Sequence, residues 1–370
     1  MKKLHARMRL SDRAVRRSRA TRKGSRLRRL DRRYSRWNRL EAIAPLQSHP
    51  AASRPVRIIA PPRVMDLEEN YEATVQLLKD IRIASMRLAG QFMVDLSLVQ
   101  SISPAASLLL VAECDRWRLS SKVKRLLAID VTRWLPSVRR RLKEMGFFEV
   151  LKAKCHIVDP PQPGEESFAP FRSGNRSPGG PARLLRKSIE ELGSPIADRN
   201  ALYDGLVEAM NNVNKHAYGG GNSNWHLWWI SASVNKAENR MTVMVVDHGA
   251  GIAKTLPRSP GWAWFSEHLG ALIGDQPSRL KAAFSIDAKN MSQTGQLNRG
   301  KGLREDIKGY VSTHHSRGSL HVVTNGARYR YERNDAGEAE DASRLPIEFH
   351  GTFIEWVIEG FSHEEHDDNN

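Results

Sequence analysis

Six prolines and four glycines lie between Asp159 and Arg183, and a segment loaded in this way sustains neither a helical nor a strand period. The chain is therefore read as two folding segments, with a domain boundary or structured connector over 159–183. A length of 370 residues suits two domains and a tail. A hydrophobic share of 40% supplies cores of ordinary size. Cys114 and Cys155 are the only cysteines, too few for a disulfide framework or a cysteine zinc site, which points to a reducing, cytoplasmic setting.

Charge divides the chain a second time. Residues 1–40 hold seventeen Lys or Arg against Asp12 and Asp31, so +15 of the net +17 sits in this arm. The remainder is close to neutral, and any general attraction to polyanions, nucleic acid included, belongs to residues 1–40. With little apolar material to bury, the arm reads either as a solvated basic tail or as a segment that orders on nucleic acid or an anionic surface. Residues 1–55 are taken together as arm and linker, and 361–370 as an acidic tail. No run reaches the roughly 18 apolar residues of a membrane span, and no apolar stretch follows the first charges as in a secretory signal. An Arg-rich, acid-poor leader also has the composition of an organelle transit peptide, and that alternative stays open.

From Val56 to Val158 strands and helices alternate. "QFMVDLSLV" (Gln91–Val99) and "VKRLLAIDV" have the character of buried strands, whereas "ASLLLVAECDRW" and "SVRRRLKEMGFFEVL" have helical spacing with Gly146 as a stop. Alternation of this kind predicts a small α/β layer over 56–158. The order "VDLSLVQSISPAASLLL … MGFFEVL" resembles a STAS domain, the anti-sigma-factor-antagonist fold. Members of that family carry an Asp-Ser pair after the strand, with the serine as phosphoacceptor. This chain has Ser103-Pro104 there, and Pro104 offers no hydroxyl.

Over 184–360 the motifs bear on chemistry. "ALYDGLVEAMNNVNKHAYGGG" sets Leu202, Leu206, Met210, Val213 and Ala217 on an apolar face and Glu208, Asn212 and His216 on another, with Gly219 to Gly221 ending the helix. The polar stripe reads either as a solvated face or as converging functional groups. "NWHLWWISASV" and "RMTVMVVDHGAGI" read as antiparallel strands joined by the turn "NKAEN". The second strand runs into Asp247-His248-Gly249-Ala250-Gly251-Ile252. A carboxylate at a strand end, followed by glycines that let backbone approach a flat ring, suits an amino-bearing purine.

"GQLNRGKGL" (Gly295–Leu303) has the G-x-x-x-x-G-K spacing of a phosphate loop. Gly302 stands where Ser or Thr would hold magnesium, and the preceding "DAKNMSQT" is polar rather than a buried strand. The segment reads better as an ATP lid, its glycines presenting N–H groups to phosphates at the start of the helical "LREDIKGYV", with Arg299 or Lys301 adding charge. Gly351-Thr352 follows on the strand "HGTFIEWVIE". Trp225, Trp228 and Trp229 read as sheet packing. Within the excursion 253–299, Trp262 and Trp264 read as a cover for a nucleotide or partner and "PSRLKAAFS" as a short helix. His314-His315 reads as a solvated loop pair.

Helix with Glu and Asn, D-x-G-x-G, G-x-G and a late G-T, in that order, resemble the ATP-binding module of DNA gyrase, heat-shock chaperones, sensor histidine kinases and mismatch-repair ATPases, the Bergerat or GHKL fold. "EAMNNVNKHAY" is similar to the anti-sigma-factor serine kinase branch. The resemblance implies an α/β and α+β chain of two domains, a STAS-like layer followed by a Bergerat-fold α/β sandwich, behind a basic N-terminal arm. It implies ATP and Mg²⁺. Asn212 would ligate the metal, and Asp247 would accept from the adenine amino group, with Gly249, Gly251 and Ile252 shaping the turn and Thr352 supporting it. Arg299, Gly300, Lys301, Gly302 and Leu303 would surround the phosphates. Glu208 would orient or deprotonate the attacking water or protein hydroxyl. The implied protein is a Mg·ATP-binding regulator, an ATPase or serine-kinase-like switch acting on a protein partner, and a homodimer is compatible with it. Two alternatives accompany this reading: an ATP-gated switch that grips nucleic acid through residues 1–40, and a non-catalytic nucleotide-binding scaffold. No phosphoacceptor-histidine helix precedes the module, which disfavours a sensor histidine kinase.

Overall fold

A computed structural model of the chain describes residues 57–360 except 88–91, 121–125, 129, 153–154, 161–163, 165, 176–177, 195, 214–226, 257–273 and 286–301. The basic arm, His216, Trp225, Trp262, Trp264, Arg299, Gly300, Lys301 and the acidic tail lie outside the described residues. Val56–Leu151 and the chain from Cys155 on form one compact unit.

The first layer of this unit is parallel. β1 (Arg57–Ile59), β3 (Phe92–Val94) and β5 (Leu126–Ala128) pair in the order β1-β3-β5, and β2 (Val64–Met65) pairs with β4 (Ser101–Ile102). Four helices accompany them: α1 (Tyr71–Arg87), α2 (Pro104–Ser120), α3 (Pro136–Met145) and α4 (Phe147–Leu151). Ser103 caps α2 by accepting from the Ala106 N–H at 3.3 Å, and Pro104 fills the first helical position, where a missing N–H costs nothing. Gly146 closes α3 with φ +96°, its N–H shared by the Leu142 and Lys143 carbonyls. Helix α2 is buried almost all round, with Leu108 to Ala112 each no more than 1% exposed, so it must be covered on two sides.

The second layer is a five-stranded antiparallel sheet in the order β6-β7-β8-β10-β9. Its strands are β6 (Ser167–Gly174), β7 (Trp228–Asn235), β8 (Arg240–Asp247), β9 (Gly318–Asn334) and β10 (Gly337–Glu359). β7 and β8 form the hairpin that their alternation predicts, closed between Asn235 and Arg240, with the Asn235 side chain accepting from the Ala237 and Glu238 N–H groups. β6 corrects the expectation that 159–183 holds no regular structure. It is an edge strand, and its register slips between Ala169 and Arg172, so Pro170 falls at a bulge where no ladder donor is required.

Side-chain alternation gives this sheet two apolar faces. Met241, Val243 and Val245, with Ile230, Ile354 and Trp356, pack under α5 (Gly179–Glu191), α6 (Arg199–Asn212), α8 (Gln276–Ser285) and α9 (Gly309–His314). Trp229, Met244, Val246 and Phe353 face the other way and join a core with Val75, Leu78 and Leu109 from α1 and α2. The sheet is thus the middle of three layers. Polar contacts cross the same boundary: buried Asp115 accepts from Trp229 Nε1 at 3.0 Å and Ser173 Oγ at 3.3 Å, and Tyr71 Oη donates to the Ile347 carbonyl at 2.9 Å.

Of the His314-His315 pair, His314 is exposed as expected, at the end of α9, and His315 is not. His314 Nδ1 lies 3.0 Å from Asp198, the residue capping α6, and His315 is half-buried with its ring 4.7 Å from Tyr310. Burial pushes the His315 imidazole down to about 4. Among the described residues no helix is long and apolar enough to cross a membrane.

Candidate functional site

Asp247 is the last residue of β8. By alternation it continues the row of Met241, Val243 and Val245, so its carboxylate faces the side of the sheet covered by α6. It is 5% exposed. Burial pushes its carboxyl up to about 7, opposed by hydrogen bonds from the Gly249 N–H and from Thr352. The Gly249 bond measures 2.6 Å. Thr352 is the cross-strand partner of Asp247 on β10, which is why the late G-T pair and the D-x-G-x-G turn meet although a long stretch of chain separates them.

The turn after Asp247 is held from beneath by β9. Thr324 Oγ1 accepts from the Ile252 N–H at 3.0 Å and donates to the Gly351 carbonyl at 3.0 Å. Asn325, itself at φ +52°, donates to the Ala250 carbonyl at 2.8 Å and accepts from the Lys254 N–H at 3.2 Å. Gly251 has φ +84°, and the space its Cβ would occupy is taken by the Asn325 amide, so this glycine serves the packing of the turn. α7 (Ile252–Thr255) follows directly, with Ile252 packed at the edge of the helix-covered core.

The remaining candidate residues come from α6 and the helical stretch that begins at Gly302. Asp198 caps α6 by accepting from Asn200 and Ala201, and Leu202, Leu206 and Met210 are buried as their spacing predicts. Glu208 and Asn212 stand half-buried on a different face. A Cβ on Gly302 would coincide with the Glu208 carboxyl group, so the glycine of the lid motif and the glutamate of the helix are in direct contact. From Leu303 to Lys308 the backbone is π-helical before it continues as α9. Leu303 packs at the core edge, Gly205 of α6 lies close under the Asp306 carbonyl, and Trp356 Nε1 donates to the Ile307 carbonyl at 2.7 Å. A π-helical turn is uncommon and often marks a functional site. The Nδ2 of Asn212 is buried and has no hydrogen-bond partner, leaving one end of this amide open to a ligand or to reorientation.

The structure therefore brings Asp247, Gly249, Gly251, Ile252 and Thr352 into one cluster and Glu208 with Gly302 into another, with Asn212 one helical turn beyond Glu208. Thr324 and Asn325 belong to the site and were missed. Their signal was "TNG" inside an apolar run, a turn-former interrupting a strand. No protein-family model matches this chain, and no curated protein matches it in sequence. The class that fold and site define is a mixed α/β protein whose antiparallel sheet carries a buried carboxyl at one strand end.

Proposed function

We propose that this chain is a Mg·ATP-binding regulatory protein of the GHKL type, a STAS-like layer joined to a Bergerat-fold module, working as an ATPase or serine-kinase-like switch on a protein partner. The observation that carries this reading is Asp247, buried at the end of β8 between the Gly249 N–H and Thr352, on the sheet face covered by α6, a helix that carries Glu208 and Asn212 on a separate half-buried stripe. A carboxylate sealed in this way gains by accepting from an exocyclic amino group, which fits an adenine. The described residues contain no group of three His, Cys, Asp or Glu able to hold a metal, so Mg²⁺ would rest on Asn212 and phosphate oxygens. Bound there, the metal ion would neutralise phosphate charge. Glu208 is the group to orient or deprotonate a water or a partner hydroxyl, and its contact with Gly302 ties its rotamer to the position of the lid.

Calorimetric titration with a non-hydrolysable ATP analogue, with and without Mg²⁺, tests the reading. Asp247→Asn turns an acceptor oxygen into a donor beside the amino group and should weaken binding at least tenfold. Equal affinity in wild type and variant removes the adenine from this site. The surplus of +15 in residues 1–40 favours a second reading, nucleic-acid binding by the arm. Salt-sensitive binding lost on deleting residues 1–40 would support it.

A further inference from the structure

Strand alternation gives Asp247 and His248 opposite surroundings. Asp247 faces α6, while His248 faces the parallel layer. His248 is 7% exposed, its ring 4.8 Å from that of Trp229 and its Nε2 3.3 Å from Oε1 of Glu113 on α2. Glu113 is 1% exposed and is anchored by two guanidinium groups, Arg82 from α1 and Arg116 from its own helix. Burial and the two arginines hold the imidazole well below its ordinary value, so the ring is neutral. A neutral ring has a single N–H, and the contact with Glu113 places it on Nε2. Nδ1 is then a bare acceptor, buried and without a partner. A cavity of about 10 Å³, room for one water, lies between Arg82, Glu113, His248, Phe349 and His350. The histidine is thus held firmly on its Nε2 side only.

We propose that Glu113 is a positioning residue for the turn Asp247 to Gly251, acting through His248. The peptide that follows His248 supplies the Gly249 N–H bonded to the Asp247 carboxylate, and it starts from the same Cα that carries the ring, so the Glu113 contact that holds the ring also restricts where this Cα and its peptide sit. Glu113 moves only with α2, and α2 belongs to the parallel layer. A displacement of α2 therefore reaches the carboxylate at the candidate adenine position through the Glu113–His248 contact, the backbone after His248 and the Gly249 hydrogen bond. This makes the N-terminal layer part of the site's support rather than a separate module. The effect on nucleotide affinity rests on the function proposed above; the effect on the turn does not.

The full chain labelled with ¹⁵N-histidine and ¹⁵N-glycine separates the two. Wild type should show His248 as the Nε2–H tautomer. Glu113→Asp keeps the charge for Arg82 and Arg116 but withdraws the oxygen by one methylene, and should shift the tautomer balance of His248 and the amide signal of Gly249. Glu113→Gln keeps the reach and should restore both. His248→Phe, which removes the N–H, should move the Gly249 signal as well and serves if Glu113→Asp does not fold. Val138→Ala, in the core of α3, is the control for loss of stability alone and should leave Gly249 in place. In parallel, the affinity for the ATP analogue should fall about tenfold in Glu113→Asp and stay near wild type in Glu113→Gln. A Gly249 signal unmoved in Glu113→Asp and His248→Phe, or moved equally by Val138→Ala, overturns the proposal. Movement of the signal in a chain that binds no analogue upholds the positioning role and sinks only the nucleotide.

Discussion

At Gly351 the backbone sits at φ +93°, and a Cβ would run into the carbonyl oxygen of Asp247 across the ladder. Gly351→Ala should cost about 2–3 kcal/mol, seen as a lower urea midpoint with an unchanged slope. Asp247 itself makes stability depend on pH in a direction opposite to its histidine neighbours. Below about pH 6.5 an unfolded chain takes protons that the buried rings of His248 and His350 refuse, so their contribution is lost as pH falls, that of His350 by about pH 4. The Asp247 carboxyl, raised from 3.8 to about 7, favours the folded state when protonated, so its contribution grows over the same fall in pH. Asp247→Asn removes only the second effect, and its melting temperature should drop more steeply than that of wild type between pH 7 and pH 5. Parallel curves would mean that Asp247 is ionised throughout. Asp247, Gly251 and Thr352 were legible in the sequence because a carboxylate at a strand end and glycines at turns are local signals. Glu113 was not, because it opens the charged end of its helix beside Asp115, Arg116 and Arg118, where a charge reads as surface, and its partner lies just past the end of β8, far along the chain.

The elements differ in how far local pattern determines them. α6 and α8 followed from periodicity, and β7 and β8 from short apolar runs bounding a polar turn, the pattern of strands buried on both faces. β6 did not, because tertiary pairing with β7 overrides its proline-rich composition at a bulge. Of the long β9–β10 hairpin only the closing strand "HGTFIEWVIE" was read, for a related reason: bulges between Arg344 and Thr352 break the alternation where the hairpin meets the site. The π-helical stretch Leu303–Lys308 has no sequence signature and is sustained by its neighbours. Its Ile307 carbonyl is satisfied by Trp356, so Trp356→Phe leaves a buried acceptor unpaired and should cost about 1–3 kcal/mol in denaturant unfolding. If that contact also fixes the helix as a whole, amide exchange over 303–314 should rise above the exchange of β8 in the variant. Uniform exchange across the chain would show the bond to be stabilising without being local.

For the molecule as a whole, the parallel layer covers apolar area that the antiparallel sheet cannot leave in water. Trp229, Met244, Val246 and Phe353 are all 2% exposed or less because α1 and α2 lie over them. A chain beginning after residue 151 would uncover these side chains together, and an apolar patch of that kind drives association. Light scattering should find the truncated protein aggregated, and a well-behaved monomer would show that the layers fold independently. The motifs could not reveal this, since each speaks for its own element and none for the reverse side of the sheet. Helix α2, with its middle residues hidden from solvent on both flanks, follows the same logic to a further point. Inserting one residue there would rotate everything downstream by about 100° and misalign two interfaces at once. Natural lengthening of the chain is thereby confined to its loops, and the spacing between Ser103 and Ser120 is as fixed a dimension of this protein as any bond it makes.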